Sequence, residues 1–527
     1  MQKKKATKKS SKSAQLIIRN AKRSDVAGIM ELTESNYTEM PPYSRKEVTA
    51  QIANFPQGVF VAIYNDKIVG YCATIRISGE KCLKPHTWRA ITGNGFGSTH
   101  EENGDYLYGY EICVDKKLRR FRIGQRFYNE RKKLCEFLRL KGIVFAGRLP
   151  KLKRKLKEAG SIENYFKMVQ ENKIKDPVLA FQFKNGFEIL GHIKNYLPYD
   201  KDSMGYASHM IWKNPQYEEN AGTQKGKGKI TISSDFQSSV RVATVQYGQR
   251  SIKSFEDFQQ MVEYYVDVVA DYECDFVVFP ELFSLQLLSV DNEEIPAHEA
   301  IEKMCSYTTK LKNFYSKMAL RYNVNIIAGS HPKKSSDGKI LNVSYICLRD
   351  GAIHEQAKLH ATPSEKYWWN MEGGTELKAI HTDCGTIGVL ICFDCEFPEL
   401  SRHLVDQGIK ILFVPFLTDE RQGYMRVRYC AQARAVENEI YVVLSGSVGN
   451  LPRVKNMDIH YSQSCILTPC DFPFSRDGIA QEATPNVEMV AMADLRMDTL
   501  IEARNNGTVQ VLKNRKHHLY SVHWHND

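Results

Sequence analysis

The feature that most constrains this chain is a polar stretch at residues 213–238, which opens KNPQYEENAGTQKGKGKITISSD. It mixes Pro, Gly, Lys and Ser and carries no apolar period, the composition of a linker. The whole chain has 527 residues, more than one hydrophobic core organises. A break of this kind therefore predicts two separately folded parts, residues 15–212 and 239–527, behind a basic tail at 1–14. On both sides of the break, short apolar strands alternate with helical periods. That pattern predicts covered sheets, an α/β or layered α+β class. No period of 20–50 residues repeats, which argues against a solenoid. No run is apolar for long enough to span a bilayer, so no membrane partner is expected.

In the first part, Gln15–Arg19 reads as a strand. Ser24–Ser35 reads as a helix with Ser24 as its cap and Val26, Ile29, Met30 and Leu32 on one face. Gly58–Tyr64 and Lys67–Ile77 read as strands joined at Asn65-Asp66, a hairpin signal. Tyr106–Val114 is another strand. Ile123–Leu140 is a helix with Phe127, Leu134, Phe137 and Leu138 toward the core. In the second part, Ser239–Gln246 and Asp275–Phe279 are strands around a long helix, Phe255–Tyr272.

The formal net charge of +11 invites a nucleic-acid reading. Its placement argues otherwise. Residues 1–13, 151–157 and 222–229 together carry fourteen lysines and arginines and no acid, leaving the remainder at −3. Such runs read first as solvated tails and linkers. An RNA-associated scaffold using these segments stays as an alternative, without zinc-finger spacing or an aromatic RNA-binding strand to support it. Thirteen cysteines without regular spacing, and no secretory pattern, predict a reducing, cytoplasmic setting.

Three segments of the second part carry chemistry. Phe279-Pro280-Glu281-Leu282-Phe283 places a carboxylate directly after a buried strand. Lys358-Leu359-His360-Ala361-Thr362-Pro363-Ser364-Glu365 supplies an ammonium and a second acid. Gly388-Val389-Leu390-Ile391-Cys392-Phe393-Asp394-Cys395-Glu396 places Cys392 where a strand gives way to a helix. A thiol near neutrality is mostly protonated, and the thiolate is the nucleophile. A carboxylate can take the proton, while an ammonium and turn N–H groups stabilise the developing oxyanion. Cys392-Phe393-Asp394-Cys395 is also a C-x-x-C. No second pair stands at zinc spacing, and a redox dithiol explains neither Glu281 nor Lys358; no metal is expected.

These segments resemble the nitrilase, or carbon–nitrogen hydrolase, superfamily over residues 239–505. Gln432–Asn438, Ser462–Pro469, Met492–Leu495 and Arg504 agree. The resemblance implies an α-β-β-α sandwich and a Glu-Lys-Cys triad of Glu281, Lys358 and Cys392, with Glu365 as a second glutamate. It implies attack on a small-molecule amide, or alternatively a nitrile, through a thioester. It also implies a homodimer or higher homo-oligomer formed through this domain.

In the first part, Tyr106–Val114 runs into Asp115-Lys116-Lys117-Leu118-Arg119-Arg120-Phe121-Arg122-Ile123-Gly124-Gln125-Arg126. A basic, glycine-containing loop that opens a helix suits a bound pyrophosphate. Residues 15–212 resemble GNAT-type N-acetyltransferases in element order, with a mixed sheet flanked by helices. The resemblance implies acetyl-CoA as acyl donor, bound by Val114, Arg119, Arg122, Ile123, Gly124, Gln125 and Arg126. Arg122 stands where the loop's first glycine is usual. Gln182 stands where a tyrosine often serves as the acid. Glu111 is a candidate base, and His100, Glu101 and Glu102 are candidate acceptor-site residues on a glycine-rich loop. Residues 148–177 read as an inserted lid or interface element. The whole chain is thus expected to be a hydrolase fused to an N-acyltransferase. The alternative is a first part that only senses acyl-CoA and regulates the second.

Overall fold

The computed structural model describes residues 15–37, 42–217, 239–290, 295–452, 454, 457 and 459–525. The expected basic tail, the lysine run at 222–229 and residues 218–238 of the expected linker lie outside the described residues. The chain forms two compact units, one within 14–229 and one within 230–527.

The first unit is a seven-stranded mixed sheet. Its strands are β1 (Leu16–Asn20), β2 (Val59–Tyr64), β3 (Lys67–Ile77), β4 (Tyr106–Val114), β5 (Gly142–Arg148), β6 (Glu188–Ile193) and β7 (Ala207–Lys213), in the order β1-β2-β3-β4-β5-β7-β6. The β2–β3 turn is tight because Asn65 and Asp66 both adopt positive φ, 50° and 59°, as a primed hairpin turn requires. β4 pairs with β5 in parallel, but only from Tyr106 to Gly109. β5 continues to Arg148 along β7, so β4 and β5 part beyond Gly109. On its other side β4 slips register against β3 between Ala73 and Thr74, with Tyr110 as the extra residue.

That bulge is stapled by Arg131, which is 1% exposed in the helix Ile123–Phe137. Its Nη2 donates to the carbonyls of Ala73 and Glu111, each at 2.7 Å, and its Nε donates to Thr74 Oγ1 at 2.7 Å. The same helix corrects one expectation. Phe137 is 71% exposed, because ten residues from Phe127 carry it about 80° round the helix. The buried face is Phe127, Tyr128, Arg131 and Cys135 instead.

Two more expectations change. Ser24 does not cap the first helix; it lies in the 3-10 turn Arg23–Asp25, in which Asp25 accepts the Lys22 N–H at 2.7 Å and pairs with Arg19. Residues 148–177 are not a lid. Leu149, Leu152, Ile162, Tyr165, Phe166 and Val169 are buried with Phe145 and Phe187 in one core, and the lysines at 153 and 157 lie on the outer face. At the expected linker's start, Lys213 closes β7, and Asn214 Nδ2 donates to the Leu140 carbonyl at 2.8 Å.

The second unit holds β8 (Ser239–Gln249), β9 (Phe276–Val278), β10 (Asn325–Ile327), β11 (His331–Lys334), β12 (Ile340–Cys347), β13 (Ile353–Ala357), β14 (Met371–Glu372), β15 (Ile380–Thr382), β16 (Gly385–Val389), β17 (Ile411–Phe416), β18 (Tyr441–Gly449), β19 (Cys465–Leu467), β20 (Ile479–Glu482) and β21 (Met489–Arg496). The main path runs β11-β12-β10-β9-β8-β18-β17-β16-β15. β8 and β18 pair only over Tyr247–Gln249 and Ser447–Gly449, so the path folds there into two facing sheets. Val240, Val242, Phe276 and Val278 point into the core between them, with Ile411, Phe413 and Val443. The alternate residues Ala243, Val245 and Val277 pack against the helices Phe255–Asp271 and Thr308–Tyr322. The helices Pro398–Asp406 and Arg421–Asn438 pack with the other sheet. The result is a four-layer α-β-β-α sandwich, and strands covered on both faces explain their near-continuous apolar sequences.

Candidate active site

Glu281, Lys358, Glu365 and Cys392 come from three separate segments and meet at one buried place; each is less than 10% exposed. Glu281 follows β9 at a turn in which Leu282 has φ 50° and its N–H donates to Ser330 Oγ at 3.0 Å. Lys358 follows β13. Its Nζ lies 2.8 Å from Glu281 Oε1 and 2.7 Å from Glu365 Oε2. Glu365 sits in the first turn of the helix Pro363–Trp369, where it also completes a capping box with Thr362. One carboxylate thus starts a helix and holds the lysine.

Cys392 opens a short 3-10 turn at φ 48°, the left-handed region that a side chain adopts only when its surroundings impose it. The turn aims the sulfur inward rather than exposing it, for Cys392 is 7% exposed. Its Sγ approaches the Leu417 carbonyl at 3.7 Å, while the Leu417 N–H donates to Glu281 Oε2 at 2.9 Å. The two peptides that flank the Leu417 Cα therefore face the carboxylate and the thiol in turn.

The electrostatics separate the two acids. Burial pushes the Glu281 carboxyl up, against the pull of Lys358. Burial also works on Glu365, but the charge of Lys358 and hydrogen bonds from Lys358, the Thr362 N–H and Asn342 hold it below the usual carboxylate range. Burial, then the charge of Glu281, push the Cys392 thiol up. Lys358 stays charged because its two carboxylates outweigh its burial. At rest this favours a protonated thiol beside a carboxylate able to take its proton, with a second carboxylate fixed in the ionised state.

Sequence reasoning missed two members. Asn342 on β12 donates through Nδ2 to Glu281 Oε1 at 2.9 Å and to Glu365 Oε1 at 3.0 Å. Asp394, 1% exposed at its side chain, accepts the N–H groups of Leu359 and His360 at 2.8 Å and faces His360 Nδ1 at 2.9 Å. The loop of Lys358 is also pressed by Gly373 and Gly374. A Cβ at 373 would collide with the Leu359 carbonyl, and the Gly374 N–H donates to the Lys358 carbonyl at 2.8 Å. Cys395 is fully buried under the turn, its carbonyl accepting Arg434 Nε at 3.0 Å, and all thirteen cysteines are free. Among the described residues, no group of three or more His, Cys, Asp or Glu side chains is arranged to hold a metal ion.

In the first unit, Val114 ends β4, Arg119 lies in the 3-10 turn Lys116–Phe121, and Arg122 is the N-cap of the helix Ile123–Phe137. Arg122 takes the left-handed conformation, φ 50°, that the usual glycine would adopt freely. Ile123 is buried. Gly124 packs against Phe181, since a Cβ there would stand 2.9 Å from its ring. Gln125 and Arg126 continue the first turn, and Arg126 Nε approaches the Phe121 carbonyl at 3.4 Å. N–H groups of such a turn point beyond the helix end, where an anion is favoured. Gln182 is buried and accepts the Tyr128 hydroxyl at 2.6 Å.

Glu111 lies where β4 leaves β5. It is only partly exposed and accepts the hydroxyls of Tyr37 at 2.5 Å and Tyr43 at 2.9 Å; burial raises its proton affinity despite them. Two of the three glycine-loop candidates have structural partners. His100 Nδ1 accepts the Arg76 N–H and the ring stacks on Phe55 at 4.4 Å. Glu101 accepts the Ser78 N–H and pairs with Lys81.

Residues 241–505 match the family model of the carbon–nitrogen hydrolases, and the chain belongs to that family, with a GNAT-type N-acetyltransferase part preceding the hydrolase. It is 42% identical to a probable hydrolase, YhcX, of Bacillus subtilis, over 97% of both chains. It is 30% identical to an uncharacterized N-acetyltransferase, YkwB, of the same organism, over 39% of this chain and 91% of that one. The solved structure of Nit3 of Saccharomyces cerevisiae, a nitrilase-superfamily member, aligns at 23% identity with a TM-score of 0.44, covering 53% of this chain and 98% of that one. The chain is thus an enzyme of the carbon–nitrogen hydrolase class joined to an N-acetyltransferase-type domain. No helix among the described residues is long and apolar enough to cross a membrane.

Proposed function

We propose that the second unit hydrolyses a small-molecule amide through a covalent thioester. The observation that carries this is the arrangement around Lys358: its Nζ lies between Glu281 and Glu365, at 2.8 and 2.7 Å, while the same Glu281 accepts the Leu417 N–H and Cys392 Sγ approaches the Leu417 carbonyl. Glu281 takes the Cys392 proton as sulfur attacks the amide carbon. Lys358 and the Phe393 N–H stabilise the tetrahedral oxyanion. Glu281 returns the proton to the departing amine, and the C–N bond breaks. Water, deprotonated by Glu281, then attacks the thioester carbon, releasing the acid and restoring the thiol. Glu365 keeps Lys358 charged and aimed. The test is a screen of small amides for ammonia or amine release, with Cys392→Ala as control and mass detection of an acyl group on Cys392. Full activity in Cys392→Ala would overturn the reading. Nitrile hydrolysis is the second outcome the same screen distinguishes.

For the first unit, the reading is transfer of an acetyl group from acetyl-CoA to an amine. The parting of β4 from β5, the basic helix start at Arg119–Arg126 and Glu111 at the fork support it. The pyrophosphate suits the Arg122–Arg126 turn, and Glu111 suits a base for the incoming amine. Glu111→Gln separates this from an acyl-CoA sensor. A transferase loses turnover of acetyl-CoA, whereas a sensor keeps both CoA binding and its influence on the hydrolase.

A further inference from the structure

We propose that Asn342 is a positioning residue that confines the proton taken from Cys392 to one oxygen of Glu281, Oε2. This rests on the reading of Glu281 as base and Cys392 as nucleophile. Each carboxylate oxygen accepts two hydrogen bonds. Glu281 Oε1 accepts from Lys358 Nζ at 2.8 Å and from Asn342 Nδ2 at 2.9 Å, so both of its places are filled. Oε2 accepts from the Leu417 N–H at 2.9 Å and has one place left. Cys392 Sγ approaches the carbonyl of the same residue, on the next peptide, and the thiol and the Glu281 carboxylate are in hydrogen-bond contact, so that remaining place lies on the thiol's side.

The orientation of the Asn342 amide is determined by its partners. Nδ2 meets two carboxylate oxygens, Glu281 Oε1 and Glu365 Oε1; a flipped amide would set its own oxygen against both. Glu281, Lys358, Glu365 and Asn342 thereby form a closed hydrogen-bonded ring. In this orientation Asn342 Oδ1 is buried with no hydrogen-bond partner among the described residues. Leaving a buried acceptor unmatched is unfavourable, and a smaller apolar residue on this strand would avoid it. A strand chosen for stability alone gives no reason for an amide here, whereas holding two carboxylates does. The ionisable groups facing Glu281 are Lys358 after β13, Glu365 on the helix Pro363–Trp369 and Cys392 on its turn. Without the Asn342 N–H, the carboxylate loses a donor to its charged form, and Oε1 gains a place for a proton that cannot reach the sulfur.

The experiment follows alkylation of Cys392 by iodoacetamide against pH in the full-length protein, quantified on the Cys392 peptide by mass. Asn342→Ala should move the acid limb upward by about one pH unit, the size of one hydrogen bond to a charged group. Asn342→Asp, which is isosteric and replaces a donor with a third carboxylate, should move it further the same way. Ser344→Ala, on the same face of β12 but touching neither carboxylate, should leave it in place. An unmoved limb in a folded Asn342→Ala or Asn342→Asp protein overturns the proposal, as does an equal shift in Ser344→Ala. Glu281→Gln separates the two layers of argument. If it leaves the pH dependence intact, the base assignment itself fails; if it abolishes the dependence while Asn342 variants do not alter it, the role of Asn342 alone fails.

Discussion

Asp394 and His360 join the nucleophile's turn to the lysine's loop: the buried carboxylate accepts the His360 N–H at 2.8 Å and faces its Nδ1 at 2.9 Å. Asp394 stands two residues after Cys392, and His360 two after Lys358. Their pairing, completed by the stack of the His360 ring on Phe397 at 3.8 Å, sets the distance between the sulfur and the ammonium. Asp394→Ala should therefore slow amide hydrolysis roughly 10- to 100-fold through misplacement of Lys358. Initial rates on the best amide from the screen check this; a loss smaller than twofold counts against it.

Arg131 should govern the stability of the first unit. Arg131→Met keeps much of the side-chain volume but leaves the carbonyls of Ala73 and Glu111 and the Thr74 hydroxyl without their donor. Buried acceptors left unpaired cost about 1–3 kcal/mol each. Calorimetry of the full chain should show the transition of that unit falling by roughly 5–15 °C. An unchanged transition would mean that water replaces the guanidinium without loss.

Arg122 tests the phosphate-side turn. Its φ of 50° costs an ordinary side chain about 1–2 kcal/mol, and a β-branched one more. Arg122→Gly should equal or exceed the parent in urea titrations, whereas Arg122→Val should lose at least ~1 kcal/mol. If acetyl-CoA is held by N–H groups of the turn, Arg122→Gly should keep its affinity within a few-fold at moderate salt.

His331 should make the second unit acid-sensitive. It is 1% exposed, with Nδ1 2.9 Å from Ser284 Oγ, and burial pushes it down to about 3 from 6.5. The unfolded chain therefore binds more protons between those values. Stability is complete above about pH 6.5 and declines as pH falls toward 3, by up to roughly 4 kcal/mol from this group. His331→Gln should flatten that decline in denaturant titrations at several pH values. An equally steep decline in the variant would assign the acid sensitivity elsewhere.

What the amino-acid order made legible follows from contrast. Glu281, Lys358 and Cys392 each stand at the end of a segment whose strand is otherwise apolar or tightly patterned, so a reactive side chain there is conspicuous. Asn342 is not: inside Ile340–Cys347 a single amide reads as the solvated side of a strand, and its partners are 61 and 23 residues away. Arg131 was hidden in the same way. An arginine within an amphipathic helix looks like its wet face, and only the bulge in β4, invisible in the apolar pattern of Tyr106–Val114, turns it inward. The tyrosines that hold Glu111 lie 74 and 68 residues before it. Phe137 erred oppositely, an aromatic assigned to the core that the helical period carries outside. Long-range polar partnerships leave no local trace, whereas strand ends and periods do.

The glycine at 373 has a consequence for how such an enzyme drifts. It lies next to no reacting atom and bears no functional group, yet any side chain there would shove the backbone that presents Lys358. A saturation map of substitutions should therefore show two cold spots of different character. One follows the chemistry, at residues whose functional groups react. The other follows crowding, at a position where what matters is that nothing is present, and where even alanine is too much.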